Sequence, residues 1–291
     1  MTNRKIGLYR ALKILELGFE ERYFTADDAL RYAFPEETSP EHNIHHRHLR
    51  ALVKRGFLST FSSPALAPGK KLYAITRQGA VFLSQHVAVP LEGLTPVRGN
   101  VMPTTVNHHL AILRVRHALS RFPQVTWIPN RFVQRAFSRI QVSKIPDALV
   151  SVSLPTSHEY WGDLAVVAVE VELSWKDRAR QQNDLARLYA ASGKHFSNCL
   201  IVGGNKSVVR SLRHALDRLA GKEVRLGKEE VIEIPDWFPE ACTFWELDEI
   251  EYFTLNDLGL MPSISTDSGS YDSKFEAPWR QAITDMLSEK R

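Results

Sequence analysis

The chain has 291 residues, 44% of them hydrophobic and 24% charged, the composition of a globular protein with room for one large domain or two ordinary ones. No apolar run reaches the roughly 18–20 residues a membrane helix needs, and MTNRKIGLYR offers no signal-peptide core, so a cytoplasmic protein is expected. The net charge of +4 conceals an asymmetry, +5 over residues 1–90, +7 over 91–146 and −8 over 147–291, whose basic parts point to a polyanion such as nucleic acid.

In chain order, Leu8, Leu12, Leu15 and Leu17 recur at helical spacing and predict a first helix over Ile6–Phe19. Thr25 and Asp28 form a capping box for a second short helix, ended by Pro35. A third begins at Ser39 or Pro40, turns Ile44, Leu49, Leu52 and Val53 inward and stops at Gly56. FLSTF and KLYAIT read as two short strands, and Thr76 caps a further helix. Three helices followed by a β-ribbon is the order of a winged helix-turn-helix, with the third helix as reader. That helix carries Asn43, His46, Arg47, Arg50 and Lys54, residue types suited to base edges and phosphates, while Lys70 and Lys71 of the wing suit phosphate. The other use of such a unit is a protein dimerisation surface. His42 and His46 have i, i+4 spacing, but with no cysteine nearby a structural metal is disfavoured.

The N-terminal domain is assigned to residues 1–90 and a proline-containing linker to 91–105. Asn107 is expected to cap an amphipathic helix that starts at His108 and His109, which serve either in DNA contact or catalysis or in plain capping. VTWIPNRFVQRAF and SRIQVSKIPDALVSVS read as strand-rich segments. Leu164–Leu173 is almost wholly apolar and rich in valine, a strand buried on both faces. Glu170 and Glu172, at i and i+2, share one face of it. Two carboxylates side by side in a buried strand repel each other and lose hydration unless a cation or strong donors compensate. With Asp147 on a neighbouring strand they make three hard oxygen ligands of the kind that holds Mg²⁺ or Mn²⁺. The alternative is one glutamate at a sheet edge or paired with an arginine. Ser174 and Asp177 are expected to cap the next helix, which buries Leu185, Leu188 and Tyr189. The strand HFSNCLIVGGN follows; its GGN turn lacks the spacing of a nucleotide-binding loop. Cys199 and Cys242 lie in apolar strand-like runs and read as reduced core residues. The core is placed within 106–262, and 263–291 is read as a polar, mobile segment followed by a C-terminal helix.

Pro146-Asp147 on one strand and an acidic pair on the next resemble the PD-(D/E)xK restriction-endonuclease-like nucleases. The usual lysine is absent, since Glu172 stands two residues after Glu170. An E-x-E version behind a winged helix resembles the MOBC-type relaxases of conjugative plasmids and the related replication-relaxation proteins, from about Leu8 to Leu212. The resemblance implies an α/β (α+β) chain, an N-terminal winged helix-turn-helix followed by a restriction-endonuclease-like mixed-sheet domain. It also implies metal-dependent nicking at a specific double-stranded DNA site, an origin of transfer, with relaxosome or coupling proteins as partners. Asp147, Glu170 and Glu172 would hold the metal, and Lys176, expected one turn into the following helix, or Lys144 would approach the phosphate. The competing function is a non-catalytic DNA-binding protein, a replication initiator or transcription regulator.

Overall fold

The computed structural model of the chain describes residues 3–34, 43–87, 102–137, 144–158, 162–192, 198–226 and 230–258. They form a mixed α and β protein of two units, one ending at Leu113 and the other beginning at Arg114. Most of the expected linker and all of the C-terminal segment 263–291 lie outside the described residues, as do Pro35, Ser39, Pro40 and His42.

The first unit contains α1 (Asn3–Glu20), α2 (Ala26–Ala33), α3 (Asn43–Lys54), β1 (Leu58–Phe61), β2 (Leu72–Ile75), α4 (Arg77–Ser84) and the start of α5 (Pro103–Leu119). β1 and β2 pair antiparallel. The local signals act as their chemistry requires. Thr25 and Asp28 exchange backbone bonds in a capping box at α2, and the Thr76 hydroxyl accepts from Gly79 N at α4. Gly56, at φ +72°, ends α3 in the left-handed region that favours glycine, with Phe57 N donating to Leu52 O. The core gathers Ile14, Leu15, Leu17, Phe19, Tyr23, Phe24, Leu49, Leu52 and Leu72. Truncating one of these leucines to alanine would cost about 2–5 kcal/mol. Leu8 is 42% exposed, because the buried stripe of α1 runs along its C-terminal half.

Helix α5 begins four residues before the expected cap. Pro103 occupies the first helical position, where a missing N–H costs nothing, and Val106 N donates to Met102 O. Asn107 is therefore inside the helix, and His108 and His109 sit beyond its first turn.

The second unit is built on a five-stranded sheet in the order β3-β4-β5-β6-β9. Its strands are β3 (Val125–Pro129), β4 (Ala148–His158), β5 (Gly162–Glu172), β6 (Asn198–Gly203) and β9 (Cys242–Glu246). β3, β4 and β5 pair antiparallel, whereas β5–β6 and β6–β9 are parallel. α7 (Arg178–Ser192) carries the β5-to-β6 crossover and α8 (Lys206–Asp217) follows β6. Residues 165–169 of β5 are buried whichever face they take, as the continuous apolar run requires. NRFVQRAF, read as strand, is instead the helix α6 (Asn130–Phe137), which buries Phe132 and Val133 one after the other on its inner side. A hairpin of β7 (Lys222–Leu226) and β8 (Glu230–Ile234) packs against α7. Two 3₁₀ turns, Leu247–Tyr252 and Leu255–Leu258, close the described chain. Among the described residues no helix is long and apolar enough to cross a membrane.

Candidate functional site

The chemistry of the second unit concentrates where β4 begins and β5 ends. Register pairs Ala148 with Val169, so Asp147, one residue before β4, lies level with Glu170. Asn130, the first residue of α6, donates through its side-chain N–H to Pro146 O at 2.8 Å and fixes the Pro-Asp turn. The Asp147 carboxylate accepts from Val171 N at 2.9 Å, a hydrogen bond that ties it to β5.

Glu170 and Glu172 keep 15% and 13% of their side-chain surface, a burial that carboxylates tolerate only with compensating charge. Lysine supplies it from both sides. Lys144, three residues before Asp147, pairs with Glu170, and Lys176 pairs with Glu172 while also reaching Asp184 of α7 at 2.9 Å. Flanking segments thus supply a lysine to each of the two glutamates. Lys176 sits in the connection before α7, not one turn into it. The cap of α7 is Asp177, whose carboxylate accepts from Arg180 N at 3.0 Å; Ser174 instead bonds Glu172. Burial alone would lower the Lys176 pKa, but its bonds to Glu172 and Asp184 outweigh this and hold it above the ordinary lysine value of 10.5. Lys176 is therefore a fixed cation at neutral pH, unsuited to act as a general base.

The next turn is a packing device. Gly204 N donates to Glu172 O at 2.8 Å, and a Cβ on Gly204 would stand 2.7 Å from Leu173 O. The GGN turn thus lets the chain leaving β6 lie against the end of β5.

Among the described residues no group of three or more His, Cys, Asp and Glu side chains is placed to hold a metal ion. The expected ligands Asp147, Glu170 and Glu172 come to one end of the sheet but have different partners: a backbone N–H, Lys144 and Lys176. As chemistry the donor set still suits a hard cation, because four carboxylates here face two ammonium groups.

In the first unit α3 separates its faces cleanly. His45, Leu49 and Leu52 are buried, whereas His46, Arg47, Arg50 and Lys54 are exposed. Asn43 opens the helix. Lys70 pairs with Asp27 at 2.7 Å and Lys71 is exposed beside it. His109 turns inward: its Nε2 lies 2.8 Å from Tyr23 O and 3.8 Å from the Glu21 carboxylate, and its ring meets that of Tyr23 edge-on. Desolvation lowers its pKa despite the neighbouring Glu21, so the ring is neutral with its Nε2–H donated to Tyr23 O. This is a packing role, away from any helix start. Neighbouring His108 is partly buried.

The sequence reading missed α6, the β7–β8 hairpin and a pocket between α8 and β9. Comparison with protein families, curated proteins and solved structures finds no match to this chain.

Proposed function

We propose that the chain is a site-specific DNA-nicking protein, with a winged helix-turn-helix as its reader and a restriction-endonuclease-like domain as its catalytic part. The observation that carries this reading is the acid–lysine edge formed by Asp147, Glu170 and Glu172 with Lys144 and Lys176. Its setting supports the assignment: a helix, three antiparallel strands, a crossover helix and a parallel strand follow one another, with α6 inserted. The exposed face of α3, followed by the β1–β2 hairpin, supports DNA as the substrate. In its most specific form the reading is a relaxase acting at a plasmid origin of transfer, with relaxosome proteins as partners.

Asp147 and Glu170 would hold Mg²⁺ or Mn²⁺, which when bound would neutralise phosphate charge and acidify a water. The chain's own residues define the rest of the chemistry. Lys144 and Lys176 pair with the half-buried glutamates and place two ammonium groups beside the position a phosphodiester would take. Lys176, held protonated, stabilises charge on the phosphate oxygens and accepts no proton. The Asp147 bond to Val171 N fixes one carboxylate before substrate arrives, so little reorganisation is left for the reaction itself.

The test is nicking of supercoiled plasmid carrying the cognate site in Mg²⁺ or Mn²⁺, with Asp147→Asn and Glu172→Ala as variants. Both should lose nicking and keep DNA binding. Wild-type protein that binds its site but leaves the plasmid closed, with its partners present, would establish the second reading, a non-catalytic DNA-binding protein. What favours that reading is the lysine already paired with each glutamate.

A further inference from the structure

A cavity of about 310 Å³ lies between α8 and β9, outside the acid–lysine edge. α8 lines it with Lys206, Arg210 and Arg213, at i, i+4 and i+7 and therefore on one helix face. β9 lines it with Phe244, Trp245 and Glu246, of which Phe244 and Glu246 share a face at i and i+2. The Arg213 guanidinium stands 5.3 Å from the centre of the Phe244 ring, a cation–π distance. All three cations are exposed, and among the described residues none of them forms a salt bridge, although Glu246 and Glu249 border the same cavity.

We infer that this pocket seats one nucleotide of a nucleic-acid single strand. Each wall answers to one part of that ligand. The Lys206–Arg210–Arg213 face suits a phosphodiester, the Phe244 ring offers a stacking surface for a base, and the Glu246 and Glu249 carboxylates accept N–H groups from a base edge. An inorganic anion would use the cations alone and be repelled by the two glutamates. The volume stands at the lower end of small-ligand pockets, about 300–1,000 Å³, and matches one nucleotide better than a large cofactor.

Position gives the pocket its use. Register sets Glu172 of β5 level with Gly203 of β6, and Gly203 level with Glu246 of β9. With strands about 4.8 Å apart, the Glu246 backbone lies roughly 10 Å from that of Glu172 along the same end of the sheet. A strand held at the acid–lysine edge can therefore run on into the pocket. In that respect the inference rests on the nicking reading and extends it with a subsite that grips the strand beside the cut.

The experiment measures fluorescence anisotropy of a 5′-labelled 12-nucleotide deoxycytidine strand on the full chain at several salt concentrations. Arg210→Ala with Arg213→Ala should weaken binding tenfold or more and flatten the log–log salt slope by about 1.4, two single-strand phosphate contacts. Phe244→Leu, which keeps bulk but removes the ring, should weaken binding roughly fivefold or more. The control pair Arg218→Ala with Lys222→Ala removes the same charge from exposed positions that do not line the pocket and should change binding by less than about twofold. Equal losses in both pairs, unchanged binding in the first pair, or displacement of the strand by an equal concentration of deoxycytidine monophosphate would each overturn the inference. Plasmid nicking run in parallel separates the two claims. Binding lost in the pocket variants with no nicking by wild type keeps the subsite and removes the nuclease, whereas nicking with unaltered strand binding does the reverse.

Discussion

The molecule concentrates charge in two regions, and it handles that charge in opposite ways. On α3 the cations Arg47, Arg50 and Lys54 are exposed, and among the described residues none forms an ion pair. At the β4–β5 edge the charges are half-buried and each glutamate has its lysine. An exposed array costs almost nothing to maintain and binds a polyanion by releasing its counterions. A half-buried array is stable only while its pairs persist, so a ligand must exchange for a partner that is already there. Under the proposed function, the first region would read DNA and the second would carry the chemistry on it. Substitutions should therefore affect binding in one region, and stability and turnover in the other.

The largest effect should come from the edge. Asp147→Asn removes a carboxylate while keeping its size, and nicking of supercoiled plasmid should fall by on the order of 10³-fold, the several kcal/mol that transition-state charge stabilisation supplies. Binding of the same DNA should be unchanged in a filter or anisotropy assay. Turnover that survives Asp147→Asn would place the chemistry elsewhere.

Next in size is Lys144→Met, which leaves Glu170 buried without its ammonium partner. Urea denaturation should show a loss of about 3–5 kcal/mol, and adding Glu170→Met should recover most of it, because two apolar groups fill the site without charge. If the double variant is no more stable than the single one, the pair is incidental to folding.

Much of this contrast was legible in the sequence. Thr25–Asp28, Thr76 and Gly56 signal locally, through bonds to residues within a few positions, and the structure uses all three. The valine run of β5 was legible for a related reason, since burial on both faces leaves no alternation to misread. The lysines were harder. That Lys144 meets Glu170 depends on strand pairing across 26 positions, which no local pattern encodes. α6 was misread because WIPNRFVQ joins a strand to a helix without a break in hydrophobicity. The β7–β8 hairpin escaped because KEVRL and EVIEI are dominated by charge, and their pairing is visible only with α7 beneath them.

Arg47→Ala and Arg50→Ala test the exposed half of the comparison. Each should weaken site-specific binding by about 1–3 kcal/mol, the worth of a base contact. Thermal stability should stay within about 0.5 kcal/mol of wild type, as for surface positions without partners. A stability loss comparable to that of Lys144→Met would show that the exposed face of α3 contributes to folding.

The smallest effect is the dependence of stability on pH. His109 is held neutral, its folded pKa lowered from 6.5 first by desolvation, with Glu21 and Asp28 opposing and His108 assisting. Its folded value lies below its unfolded one, so the unfolded chain takes up a proton first as pH falls. The associated stability is complete above about pH 6.5 and is lost as pH drops below that toward the folded value, at no more than about 1.4 kcal/mol per pH unit for one proton. Lys176 works in the other direction. Its folded pKa is raised, so the stability it contributes is complete below 10.5 and is lost as pH rises through the folded value. Urea titrations at pH 5.5 and 7.5 should thus report the interior of the first unit, where the His48 pKa is lowered as well, whereas titrations above pH 10.5 report Lys176 together with Lys13 and Tyr23 of the first unit, whose values are also raised. His109→Gln keeps an N–H donor for Tyr23 O but does not titrate, and should make the acid arm shallower, leaving the His48 share, while the alkaline arm stays intact. An acid arm as steep in His109→Gln as in wild type would assign that arm to other groups and leave His109 as a packing residue alone.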